Sequence, residues 1–131
     1  MMKKIDRRKL TSIMKKIGKF AKENQDNKEK IDNYIWSIFP YSTGCFMDGL
    51  EDGDGCFLPK DLFDIEIKIP EVKKHINDSK LDYIISQGDF GIFIEYLNDG
   101  HVEIIADRDV TYRMKDGLVD TNSIIFKSIK I

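Results

Sequence analysis

Cysteine, histidine and proline are scarce: two, two and three in 131 residues. Each scarcity excludes something. Small disulfide-dependent domains carry more cysteines and are exported, so Cys45 and Cys56 are expected as reduced thiols of a cytoplasmic chain. A bridge between them would require the two ends of the intervening segment to meet. His75, in KKHIND, and His101 are not spaced with a second histidine or a cysteine as a zinc site requires, and read as surface or capping residues. No apolar run approaches the roughly 18 to 20 residues that span a bilayer. The opening MMKKIDRRKL is charged and no apolar signal-peptide core follows it. No glycine-rich phosphate loop follows an apolar strand, and no pair of carboxylates is singled out for acid–base work. The expectation is a non-enzyme with no cofactor and no bound metal.

Charge is what the chain has in quantity. Asp, Glu, Lys and Arg make up 34% of it, hydrophobic residues 41%, and the net charge is only −2. That balance hides a split. Residues 1–30 hold eleven Lys or Arg against four Asp or Glu, a surplus of seven positive charges. Residues 31–131 hold ten against nineteen, a surplus of nine negative charges. Such asymmetry speaks about partners rather than about fold.

The length predicts one domain over 1–131, basic and helical over 1–40, acidic and mainly β over 41–131. In residues 6–24, Leu10, Ile13, Met14, Ile17, Phe20 and Ala21 recur at helical spacing, with Lys and Arg mostly on the opposite face. A second helix is expected over 28–39, capped by Asn27 and ended by Pro40, with Ile31, Tyr34, Ile35, Ile38 and Phe39 inward. The two helices are expected to form a hairpin. DIEIKIP alternates like a half-buried strand, with Ile65, Ile67 and Ile69 on one side. EVKKHINDSKLDYIISQ reads as one or two short helical pieces. FGIFIEYL and HVEIIAD flank Asn98-Asp99-Gly100 as a hairpin, VTYRM reads as a further strand, and SIIFKSIKI closes the chain. The class is α+β, an N-terminal helical hairpin followed by a mostly antiparallel sheet of about four to six strands.

The segment Asp48 to Asp61, DGLEDGDGCFLPKD, carries the densest chemistry. Read as an EF-hand from Leu50, it places Asp52, Asp54, Gly55, Phe57 and Asp61 at positions 3, 5, 6, 8 and 12. Leu50 offers no oxygen at the first position, Asp61 is shorter than the usual bidentate glutamate, and the exit reads as a strand. Two readings remain. Asp-Gly pairs favour turns whose carboxylates face water. Alternatively, seven acids against one lysine between Asp48 and Glu66 form a field that attracts a cationic partner. On that second reading the partner-binding candidates are Asp48, Glu51, Asp52, Asp54 and Asp61, with Glu103, Asp107 and Asp109 joining them if the sheet brings them near. The basic N-terminal helix reads as a solvated face, as a layer salt-linked to the acidic body, or as a contact for nucleic acid or membrane. Its polar face lacks aromatics and the acidic body opposes DNA, so no direct nucleic-acid or membrane partner is expected.

A small, cysteine-poor, acidic α+β chain rich in Ile, Lys, Asn and Asp resembles the immunity proteins that bacteria encode beside contact-dependent and other polymorphic toxins. The resemblance rests on the character of the whole chain and on no motif. It implies a cytoplasmic protein that binds a cognate toxin domain and blocks it, many such toxins being nucleases with basic, phosphate-binding sites. The rivals are a phage-type acidic inhibitor that mimics nucleic acid and a calcium-linked or enzymatic module.

Overall fold

A computed structural model describes residues 4–39, 54–58, 63–77 and 79–131, with the backbone alone for 54–58. The first helix, α1, runs Arg7–Glu23. Asp6 starts it, its carboxylate accepting from the Lys9 N–H at 2.8 Å, which satisfies one of the donors a helix start leaves unpaired. Residues 24–26 turn the chain, and α2 follows as Lys28–Ile38, capped by Asn27 accepting from the Lys30 N–H at 3.1 Å. Phe20 of α1 stacks on Tyr34 of α2, ring centroids 4.1 Å apart. The expected hairpin of helices is therefore present, and the two are separate helices.

The sheet is antiparallel, in the order β1-β2-β3-β4. Three long strands carry it: β2 Leu81–Tyr96, β3 Val102–Met114 and β4 Val119–Lys130. A five-residue strand, β1 Asp54–Leu58, pairs with the outer edge of β2. With three long strands and one short one, the sheet stands at the bottom of the expected four to six, because HVEIIAD and VTYRM are one continuous β3. Nothing between them breaks the alternation of β3, the irregularities at Asp107-Arg108-Asp109 being taken up by extra residues of β2 and β4. The β2–β3 turn is built as expected on Asn98-Asp99-Gly100, with Gly100 at φ 87, where a side chain would be strained. Asp99 accepts from the His101 N–H at 3.0 Å and lies 3.0 Å from His101 Nδ1 and 3.1 Å from Lys130 Nζ. These contacts, the backbone N–H of His101 first, hold its carboxyl well below the usual carboxylate range.

LDYIISQ is strand, not helix. The third helix, α3, spans Ile69–Ile76 and stops at Asn77, whose φ of 48 and ψ of 42 are left-handed. From Leu81 the β-branched and aromatic run pairs with β3. The helices all pack on one face of the sheet. Leu10, Met14, Ile17, Ala21, Ile31 and Ile35 meet Phe90, Ile92, Ile94, Val102, Ile104 and Ala106 in the larger core. Val72 of α3 joins Leu81, Val110, Tyr112, Met114 and Ile124 in the smaller. Gly18 marks the closest approach of α1: a Cβ there would sit 2.8 Å from Ile104 Cγ1 and 2.6 Å from Ile131 Cγ1.

The segment 63–68 corrects a second expectation. Ile65 and Ile67 are buried as their alternation predicts, but Ile69 is exposed and starts α3. The segment is extended without being a strand of the sheet, and its one bridge is the parallel pairing of Phe63 with Ile5. Side chains take the place of a neighbouring strand. The Gln87 amide donates to the Ile67 carbonyl and accepts from the Ile67 N–H, both at 2.8 Å. Arg108 donates to the Ile65 carbonyl through Nη1 and to the Gly88 carbonyl through Nε at 3.0 Å, while its guanidinium lies 4.4 Å from the centroid of the Phe90 ring. Burial pulls the Arg108 pKa down, with Glu66 and Asp89 opposing.

Candidate partner interface

Strand alternation sorts β3 into two faces. Val102, Ile104, Ala106 and Val110 are buried beneath the helices, while Glu103, Ile105, Asp107 and Asp109 point the other way. No described helix covers that second face. The register lays it out row by row. Glu103 stands between Glu95 of β2 and Lys130 of β4, Ile105 between Phe93 and Ser128, and Asp107 between Gly91 and Ile125. Asp109 stands opposite Ser123, and Arg113 lies between Tyr83 and Val119.

Three of the acids foreseen from the sequence are thus brought together on one strand face. Glu103 and Asp109 are each anchored by a serine of β4: Ser128 Oγ donates to Glu103 at 2.5 Å and Ser123 Oγ to Asp109 at 2.8 Å. Such bonds fix the direction of each carboxylate and leave its charge uncompensated. Lys130, the cation opposite Glu103, is held by Asp99. Glu95, which sequence reading passed over, adds a like charge directly opposite Glu103, an arrangement that costs stability in a sheet. The apolar residues missed are Phe93, Ile125, Tyr83 and Val119. The period-two alternation of FGIFIEY carried the signal for Glu95 and Phe93. On β4 the signal was blurred by the register shift between Ala106 and Asp107, which changes the parity of the strand.

Asp107 is the most altered member. Its Oδ1 and the edge of Phe93 close over Gly91, where a Cβ would lie 2.6 Å from each. Burial raises its pKa to about 6, the Asp109 charge adds to the rise, and the Gly91 N–H opposes it. The folded protein therefore holds this proton more tightly than the unfolded chain does. The stabilising effect of the bound proton is complete below pH 4 and is lost as pH rises through about 6. Asp107→Asn is expected to raise stability at pH 7 by about 1 kcal/mol, after allowing for solvent screening of a partly exposed group, and to change little at pH 4. Urea denaturation at the two pH values checks this, and equal effects at both would refute it.

Asp54 lies in β1, whose backbone pairs it with Ile94. Asp48, Glu51, Asp52 and Asp61 lie outside the described residues, as do Cys45 and the side chain of Cys56. The register places Asp54–Leu58 relative to the face. Phe57 of β1, Gly91, Asp107 and Ile125 form one row across four strands. Asp54–Leu58 therefore lies two places from β3, about 10 Å away at ordinary strand spacing.

His75, near the end of α3, and His101 in the hairpin are exposed and far apart in the fold. Among the described residues no group of three or more His, Cys, Asp or Glu is arranged to hold a metal ion. No described helix is long and apolar enough to cross a membrane. No family model, curated protein or solved structure matches the chain.

Proposed function

We propose that this chain is a non-catalytic binding protein, an immunity protein that neutralises a cognate toxin domain, most simply a nuclease with a basic, phosphate-binding surface. One observation carries the reading. The face of the sheet that no described helix covers sets four carboxylates, Glu95, Glu103, Asp107 and Asp109, among the apolar side chains of Phe93, Ile105 and Ile125. Interfaces that recognise another protein combine apolar contact with charges that select the partner. The carboxylates speed the approach of a cationic surface and disfavour neutral or acidic ones. The five acids foreseen in the Asp48 to Asp61 stretch, Asp48, Glu51, Asp52, Asp54 and Asp61, are further candidates for the same partner.

The test is binding to the product of the adjacent gene. Glu103→Gln, Asp107→Asn and Asp109→Asn together are expected to slow association at least tenfold at low salt and to flatten its salt dependence. The five acids of the Asp48 to Asp61 stretch changed to Asn or Gln form a second, separate variant. Desolvated carboxylates facing an arginine of the partner would instead appear in the off-rate, at about 2–5 kcal/mol each. Unchanged rates for both variants, or no complex with the neighbouring product, would refute the reading.

A further inference from the structure

The face of α1 that turns away from the core is basic along its whole length. Arg8, Lys9, Lys15, Lys16, Lys19 and Lys22 are all exposed there, while Leu10, Met14, Ile17 and Ala21 fill the core. From Arg8 to Lys22 the stripe is about 21 Å long at 1.5 Å per residue. Among the described residues the acidic body does not neutralise it. The one ion pair from α1 to the rest of the described chain is Arg7 with Glu71, at 2.8 Å. Arg8, Lys9, Lys15, Lys16 and Lys19 make no ion pair with a described residue, and Lys22 reaches only the Ile131 carbonyl, at 3.4 Å. The acids at the helix ends are Asp6, engaged as the N-cap, and Glu23.

From the sequence alone, the acidic body appeared to oppose any contact with nucleic acid. For the described residues the fold removes that objection. The carboxylate face and the basic stripe lie on opposite sides of a sheet and a helical layer. A helix alone is about 10 Å across, already more than the screening length of about 8 Å at physiological salt. The two faces therefore act on their surroundings separately.

We infer that the outer face of α1 docks on the phosphodiester backbone of nucleic acid, independently of the partner bound by the sheet. A straight row of cations some four turns long complements an evenly spaced polyanion. An anionic lipid surface fits less well, since a helix lying on a membrane inserts its apolar side, and the apolar side of α1 is buried in the core. The contact is to phosphate and carries no sequence preference.

Fluorescence anisotropy with a labelled 20-base-pair duplex tests the inference, with vesicles containing anionic lipid as the competing surface. About four phosphate contacts predict that affinity falls roughly 100-fold between 50 and 200 mM salt. Lys15→Gln and Lys19→Gln should each lower the slope of log affinity against log salt by about one unit, equally for unrelated duplex sequences. Glutamine keeps helix propensity, so circular dichroism should be unchanged. No salt-dependent binding at 50 mM, an unaltered slope in a folded variant, or vesicles binding as tightly as duplex would each overturn it.

Discussion

Replacing Arg108 with alanine is expected to destabilise the protein by about 3 kcal/mol, lowering the melting temperature by about 10 °C. The guanidinium serves three partners at once: the carbonyls of Ile65 and Gly88, and the face of Phe90. Hydrogen bonds from a charged donor contribute about 1.5–3 kcal/mol each. Part of that gain is offset by the cost of burying the charge, which is why the total falls short of the sum. Arg108→Met separates the contributions. It keeps a long apolar stem over Phe90 and loses both donors, so most of the destabilisation should persist. Thermal and urea denaturation measure the effect. A loss below about 1 kcal/mol would show that 63–68 is held by burial of Ile65 and Ile67 alone.

The second large effect is expected at Gly18. A valine there would place its Cβ 2.6 Å from Ile131 Cγ1 and 2.8 Å from Ile104 Cγ1, before its own methyls are counted. Either α1 lifts from β3 or both isoleucines leave their rotamers, at about 2–3 kcal/mol. Gly18→Ala tests the origin of the effect. A solvent-exposed glycine in a helix gains about 1 kcal/mol on replacement by alanine. Here the contact should cancel that gain or reverse it. If Gly18→Val proves as stable as the parent, the close approach of helix and sheet does not limit stability.

Much of the helical layer was legible because local chemistry and tertiary packing agree. Asn27 caps where expected, and Leu10, Met14, Ile17 and Ala21 are buried as their spacing predicts. The β half was less legible for a definite reason. A strand and a helix with apolar residues on one side differ only in period, and LDYIISQ is too short to distinguish them. DIEIKIP has the period of a strand and buries two of its three isoleucines, but nothing in those seven residues reveals that Gln87 and Arg108 supply its hydrogen bonds. The candidate face shows the same limit. Glu103, Asp107 and Asp109 could be named from β3 alone, whereas Glu95 and Ile125 join them only through register, which is a property of pairs of strands.

The pinning of 63–68 by two side chains has a consequence for how the molecule comes apart. A strand leaves a sheet only by breaking a cooperative row of backbone bonds. This segment is released when Gln87 and Arg108 rotate, the Asp64 N–H leaves the Ile5 carbonyl and Phe63, Ile65 and Ile67 lose their burial, with the β2–β3 and β3–β4 ladders untouched. Its departure would carry away the Phe63 contact to Ile5 and loosen Arg7 from the Glu66 carbonyl and from Glu71. The fold thus contains a seam, a line along which 63–68 can part from the start of α1 while the sheet that presents the carboxylates keeps its shape.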